Sequence, residues 1–344
     1  MTVTAGPDFV VLTGFLGSGK TTLLRDFLAR PDAADTAVIV NEAGEIGLDG
    51  VILQEDGRGD TPIAMLSNGC ICCQAGTDLS YTVDRLLSVE RPDASRPLRR
   101  IILETSGLSK PGPVLRQLAS LAQHRLRVSV LATFDATRGA ETAQFDEAAA
   151  QWAAAHRIVV TKADAVSAEA LAGARDRIAG LNPLSEIVVS ADRDGAVAAA
   201  FAPLSGIAPL PAPPQGTAGA VHPRIAVRLA RPAGVLAYDD LAAWLDNLAG
   251  ALGERLLRLK GLVRVRESER PVLVQSVGTL FSAPRPFGDP QASLPLFLVI
   301  IARDLKAGEL EAVSPAELFA FSSWTELPGL SRAGAPSPVA VAWV

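Results

Sequence analysis

One short run constrains this chain more than any other. Residues 9–13, FVVLT, are continuous in apolar side chains, and residues 14–21, GFLGSGKT, follow at once. The spacing G-x-x-x-x-G-K-[ST], set between a buried strand and a helix start, is built to wrap a phosphate. Gly14 and Gly19 let the backbone turn its N–H groups inward, and the following helix N-terminus adds partial positive charge. Phosphate contacts are therefore expected from Gly14 through Gly17, Ser18 and Gly19 to Thr22. Lys20 is expected to bridge the β- and γ-phosphates, and the Thr21 hydroxyl to ligate Mg²⁺. A glycine-rich turn with no ligand would need neither the lysine nor the hydroxyl.

The segments after this loop repeat the strand-then-helix rhythm. Strands are expected at 9–13, 37–41, 62–66, 100–104, 128–134, 157–161 and 186–190. Almost all are unbroken Val/Ile/Leu runs rather than alternating ones, the pattern of strands buried on both faces of a parallel sheet. Helices are expected at 19–30, 78–90, 112–123, 140–155 and 167–180. The fold class is thus α/β, a doubly wound and mostly parallel sheet.

Residues 203–219, PLSGIAPLPAPPQGTAG, are too rich in Pro and Gly for a helix or a central strand and read as a linker. They divide the chain into a domain at 1–202, a smaller α+β domain at 220–330, and a tail at 331–344. The second domain shows a strand near HPRIAVRLA, an amphipathic helix in AYDDLAAWLDNLAGAL and three further strands of an antiparallel sheet. A helix is expected after Ser314, with that residue as cap and Pro315 in its first turn.

Composition narrows the setting. With 49% hydrophobic and 20% charged residues the chain is an ordinary globular one. No apolar run reaches the about 20 residues that span a bilayer, and the N-terminal run lacks a basic leader. The expectation is a cytoplasmic protein without membrane attachment, whose thiols stay reduced. A net charge of −5 argues against nucleic acid as a partner.

Further residues cluster at strand ends. Thr161-Lys162-Ala163-Asp164 follows a buried strand late in the first domain. In P-loop GTPases an N/T-K-x-D element here reads guanine through its aspartate, while the lysine stem packs on the base. Asp164 is the expected guanine reader, with Thr161 standing where asparagine is usual. Glu104 ends another strand, where an acid would lie near Mg²⁺ and the attacking water, and Gly107 would offer its N–H to the γ-phosphate. Glu42, Glu45 and Asp49 follow the strand at 37–41.

Cys70, Cys72 and Cys73, in SNGCICCQAG, are the only three cysteines. They follow a strand, so they are expected at the same sheet edge as the phosphate loop. A C-x-C-C run in a glycine-flanked loop does not suit core packing. Cys70 and Cys73 have redox-pair spacing, yet the third thiol and nearby carboxylates suit tetrahedral Zn²⁺ or Co²⁺ better. Three thiolates leave a fourth position for Glu42 or water.

The ordered set GFLGSGKTTLL, NEAGEIGLD, NGCICC, ETSGLSKP and TKAD resembles the CobW-like family of SIMIBI-class P-loop GTPases, whose hallmark is a G-C-I-C-C loop. The second half is similar to that family's C-terminal domain. The resemblance implies a GTP-hydrolysing metallochaperone that delivers a transition metal to a client metalloprotein or metal chelatase. It also implies that the second domain docks the client or pairs two copies as a homodimer. Members often carry a histidine-rich stretch between the domains. Here that stretch is proline-rich, and the chain has only His124, His156 and His222, so metal storage is not expected. A P-loop kinase would keep the phosphate loop but leave the thiols unexplained. A zinc sensor without turnover would keep the thiols but leave the phosphate loop unexplained.

Overall fold

A computed structural model describes residues 6–41, 63–65, 77–88, 97–190, 192–204, 207–209, 222–288, 295–314, 317–324 and 340–342. The chain forms two compact units, Met1–Ala174 with Glu186–Ala202, and Arg175–Ser185 with Pro203–Val344. The second takes in Arg175–Ser185, which the sequence reading keeps inside 1–202.

In the first unit seven strands form one sheet: β1 (Asp8–Gly14), β2 (Thr36–Asn41), β3 (Ile63–Met65), β4 (Arg100–Thr105), β5 (Arg127–Asp135), β6 (Arg157–Thr161) and β7 (Glu186–Val189). Their order is β3-β2-β4-β1-β5-β6-β7, and every pairing is parallel. Because successive side chains alternate faces, each apolar strand supplies two buried surfaces. Val10 and Leu12 of β1 pack with Leu23, Leu24, Phe27 and Leu28 of helix α1 (Lys20–Leu28). On the opposite face Phe9 and Val11 are fully buried. Helix α2 (Thr77–Ser88) follows β3, helix α3 (Pro111–Ala119) follows β4, and α4 (Gly139–Thr142) and α5 (Asp146–Ala154) follow β5. Trp152 of α5 lies against Phe134 of β5 with ring centroids 4.7 Å apart, and its indole N–H donates to the Thr133 carbonyl at 3.0 Å. Helix α6 (Ala168–Leu181), whose Ala168–Ala174 portion belongs to this unit, follows β6, and helix α7 (Arg193–Phe201) follows β7. Helices on both faces of a parallel sheet make the doubly wound architecture read from the sequence.

Two local features differ from expectation. The span 140–155 is not one helix, because Phe145 has extended backbone (φ −87°, ψ 129°) and starts α5 afresh. Phe145 instead stacks on Phe15 of the glycine loop, centroids 4.8 Å apart. Helix α7 was not expected. Asp192 caps it, its carboxylate accepting from the N–H groups of Asp194 and Gly195. Its Phe201 stacks on Phe27 at 4.1 Å.

In the second unit a two-stranded ladder pairs β8 (Ile207–Pro209) with β16 (Ala340–Ala342). A segment of the proline-rich stretch therefore meets a segment of the tail. The larger antiparallel sheet contains β9 (Ile225–Pro232), β10 (Leu256–Val263), β11 (Val272–Val277), β12 (Leu280–Phe281), β13 (Arg285–Pro286), β14 (Phe297–Arg303) and β15 (Phe319–Ser323). Its path is β12-β11-β10-β14-β9-β15, with β13 paired to β11. Helix α8 (Tyr238–Leu252) packs Leu241, Trp244, Leu245, Leu248 and Leu252 onto one face of this sheet. That spacing is a single apolar stripe.

The helix expected after Ser314 is corrected by β15. Phe319 is buried and Phe321 packs on the same core, with exposed Ala320 between them. A two-residue period suits a strand pairing with β9, and Phe319 lies 4.2 Å from Trp244 between ring centroids. The short helix α9 (Glu309–Ala312) precedes Ser314 instead. Among the described residues no helix is long and apolar enough to cross a membrane.

Candidate nucleotide site

The carboxyl edge of the parallel sheet gathers the polar groups of the first unit. Strand β1 lies between β4 and β5, so its C-terminal loop opens where the strand order departs to both sides, the usual crevice of such sheets. Gly14 ends β1 and Lys20 opens α1. Gly19, at the helix N-cap, has φ +88°, in the left-handed region that glycine enters without a Cβ penalty. The Lys20 ammonium is buried and folds back on the loop, donating to the Gly14 carbonyl at 2.9 Å and the Phe15 carbonyl at 3.3 Å. The Ser18 hydroxyl, also buried, shares a 2.6 Å hydrogen bond with the Thr133 hydroxyl of β5. Thr22 is exposed in the first turn of α1.

The Thr161–Asp164 element locks onto this loop. The Thr161 hydroxyl donates to the Ser18 carbonyl at 2.8 Å and the Phe134 carbonyl at 3.2 Å. A threonine thus reaches the loop from the strand end even without an asparagine amide. The Lys162 ammonium donates to the Gly17 carbonyl at 3.1 Å and to Asp135 Oδ2 at 2.6 Å. Lys162 has φ +54°, a left-handed conformation uncommon for a residue with a Cβ and often found at functional positions. Asp164 follows in an exposed turn.

Asp135 escaped the sequence reading. Burial pushes its carboxyl upward, but hydrogen bonds from Lys162, the Thr137 hydroxyl and the Thr137 N–H outweigh that and hold it below the usual carboxylate range. The signal was available, since Asp135 ends a buried strand just as Glu104 does.

Glu104 sits near the end of β4, register-paired with Leu12 of β1 and Val40 of β2. It is buried and accepts from the Thr21 hydroxyl at 2.7 Å. Beyond it Ser106–Ser109 is a turn closed by the Ser109 N–H on the Ser106 carbonyl at 3.0 Å. Gly107 lies against Leu16 of the glycine loop. A Cβ there would come within 2.9 Å of the Leu16 backbone, so only glycine permits the approach. Sequence reasoning also missed Gln151 of α5, whose amide donates to the Gly107 and Ser109 carbonyls at 3.0 and 2.9 Å.

These contacts bring Gly14, Gly17, Ser18, Gly19, Lys20, Thr21, Glu104, Gly107, Thr161 and Lys162 to one edge. Glu42, Cys70, Cys72 and Cys73 lie outside the described residues. Among the described residues no three His, Cys, Asp or Glu side chains gather to hold a metal ion. What is described of that region is its frame: β3 ends at Met65, pairing in parallel with β2, and α2 begins at Thr77.

Two family models match this chain in succession. The family described as CobW/HypB/UreG, nucleotide-binding domain, matches residues 8–189, and the cobalamin synthesis protein cobW C-terminal domain matches residues 227–313. The zinc chaperone CobW of a Sinorhizobium species is 31% identical over 313 residues, covering 78% of this chain and 84% of the relative. The zinc chaperone YjiA of Escherichia coli K12 is 32% identical over 300 residues, covering 81% and 89%. The crystal structure of Zn(II)-bound YjiA GTPase from E. coli superposes with a TM-score of 0.63 at 23% identity, covering 90% of this chain and 98% of that one, a likeness of fold.

Proposed function

The chain belongs to the CobW/HypB/UreG family of P-loop GTPases, and we propose that it couples GTP hydrolysis to carriage of a transition metal held by Cys70, Cys72 and Cys73. In this reading the Gly14–Thr22 loop takes the phosphates of GTP and Asp164 accepts from the guanine ring. The observation that carries it is the tie between Thr161, Lys162 and the carbonyls of Ser18 and Gly17, because it joins a base-reading turn to a phosphate loop.

Water attacks the γ-phosphorus, the bond to the β–γ bridging oxygen breaks, and GDP and phosphate result. Lys20 meets the charge that develops on the phosphates, and the Gly107 N–H adds a donor from the other side. Glu104, held by Thr21, orients the water. The Thr21 hydroxyl and Glu104 carboxylate are hard oxygen donors that fit Mg²⁺. When bound, that ion would neutralise charge on the β- and γ-phosphate oxygens.

Both quoted relatives are named zinc chaperones, which supports Zn²⁺ as cargo, with Co²⁺ the alternative of similar ligand preference. Glu42 or water would complete a tetrahedral set. The chain leaves β3 at Met65 on the sheet edge that also ends β1, five residues before Cys70 in sequence. Loss of the γ-phosphate contacts would then release metal to a client metalloprotein or chelatase docked on the second unit, alone or as a dimer.

The test is metal analysis of protein loaded with Mg²⁺GTP, beside a Cys70→Ser/Cys72→Ser/Cys73→Ser variant. Stoichiometric zinc in the first and none in the second is expected. Equal content contradicts the thiol assignment, and metal binding without any GTP turnover would mark a sensor instead.

A further inference from the structure

We propose that Gln151 is a positioning residue for GTP hydrolysis, fixing the turn that carries Gly107 against the glycine loop. The inference rests on the reading that this turn faces the γ-phosphate.

Gln151 is completely buried. Both hydrogens of its amide go to one turn, to the carbonyls of Gly107 and Ser109. Only the NH₂ end of a glutamine can serve two carbonyls, so the side-chain orientation is fixed. Its Oε1 is buried and has no partner among the described residues. A residue placed for packing alone would avoid an orphaned oxygen, since an apolar side chain of the same shape fills the space without one. The donors are what the position requires.

Each carbonyl points opposite to the N–H of its own peptide unit. Holding the Gly107 and Ser109 carbonyls toward α5 fixes the peptide planes that follow Gly107 and Ser109, while the Ser109 N–H on the Ser106 carbonyl fixes the plane that carries the Gly107 N–H. Glu147, one turn earlier on the same face of α5, pairs with Lys110 at 3.4 Å and holds the far end of the same segment. Helix α5 is itself fixed to the nucleotide loop by Phe145 on Phe15 and to β5 by Trp152 on Thr133. One helix thus sets both the glycine loop and the turn that approaches it at Leu16. Hydrolysis depends on that spacing, whereas GDP has no γ-phosphate to report it.

Two variants test this. Gln151→Met keeps the volume and removes both donors. Expected are GDP affinity within about twofold of wild type and kcat at least about tenfold lower, the signature of a mispositioned group rather than a lost binding site. In Gln151→Glu only the protonated acid donates, so kcat should fall as pH rises through the acid's titration while wild type shows no such limb. A wild-type kcat in Gln151→Met, or GDP affinity falling in step with kcat, overturns the proposal. Should the Met variant fail to fold, a Gln151→Glu pH profile parallel to wild type overturns it. Lys20→Ala separates the two levels. If Lys20→Ala hydrolyses GTP normally the site reading itself fails, and if it is dead while Gln151→Met is normal only this inference fails.

Discussion

The carboxyl edge of the parallel sheet and the antiparallel sheet of the second unit bury polar side chains in different ways. At the first, Ser18, Lys20, Glu104, Thr133, Asp135 and Gln151 are buried around one glycine loop, and their hydrogen bonds end on that loop or its neighbours. In the second, the helix-facing side is apolar from Leu241 to Phe319, Arg258 and Lys260 of β10 and Ser276 of β11 are buried within the sheet, and ion pairs such as Arg224–Asp304 and Arg255–Glu309 stand at partly exposed strand and helix ends. A buried polar group left without a partner costs stability. A dense set of them at one strand edge marks chemistry, while an apolar stripe under a sheet marks packing. In the proposed reading the reaction runs at the glycine loop of the first unit.

Substitutions at the two regions should separate accordingly. Lys20→Ala should have the largest effect on activity, lowering kcat for GTP at least about 100-fold, since one lost charge-stabilising donor is worth that much. Melting measured by circular dichroism should change little. Trp244→Ala should do the reverse. Removing a fully buried indole from under Phe319 costs about 3–5 kcal/mol in denaturant unfolding, with kcat of the folded protein retained. Activity lost with Trp244 at unchanged stability would break the division.

Asp135→Asn should give a smaller loss, about 1–2 kcal/mol at pH 7, because Lys162 is half-exposed and solvent screens the pair. The Asp135 carboxyl is depressed in the folded state, so its contribution is complete above its unfolded value near pH 4 and disappears as pH falls through the lower folded value. Wild type and variant should therefore converge in acid. Glu309→Gln should matter least, below about 1 kcal/mol for a surface pair. Arg255 holds the Glu309 carboxyl at about 2, so this contribution too is present at neutral pH and fades toward pH 2.

The parallel sheet was legible because nearly every strand is an unbroken apolar run, and the glycine loop because its spacing allows little else. Glu104 was found by its place at a strand terminus. Asp135, at the end of VSVLATFD, offered the same cue without a motif around it. Gln151 gave no local signal at all, sitting in an alanine-rich helix whose partners are more than forty residues upstream in sequence. Only tertiary packing brings it to the turn. Phe319–Ser323 was misread because a proline after a serine suggests a helix start, whereas the Phe-Ala-Phe alternation against Trp244 decided for a strand. The break at Phe145 likewise depends on a contact with Phe15 that no helical period reveals.

The central claim is that nucleotide state and metal affinity are one equilibrium. Linkage then requires that exchanging GTP for GDP change zinc affinity by the factor by which zinc changes the relative affinity for the two nucleotides. Chelator competition for Zn²⁺, run on wild-type protein with Mg²⁺GDP and with a non-hydrolysable GTP analogue, measures this directly. The account predicts zinc binding at least about fivefold tighter with the analogue, the lower range of allosteric coupling. Identical zinc affinity in the two states would contradict it.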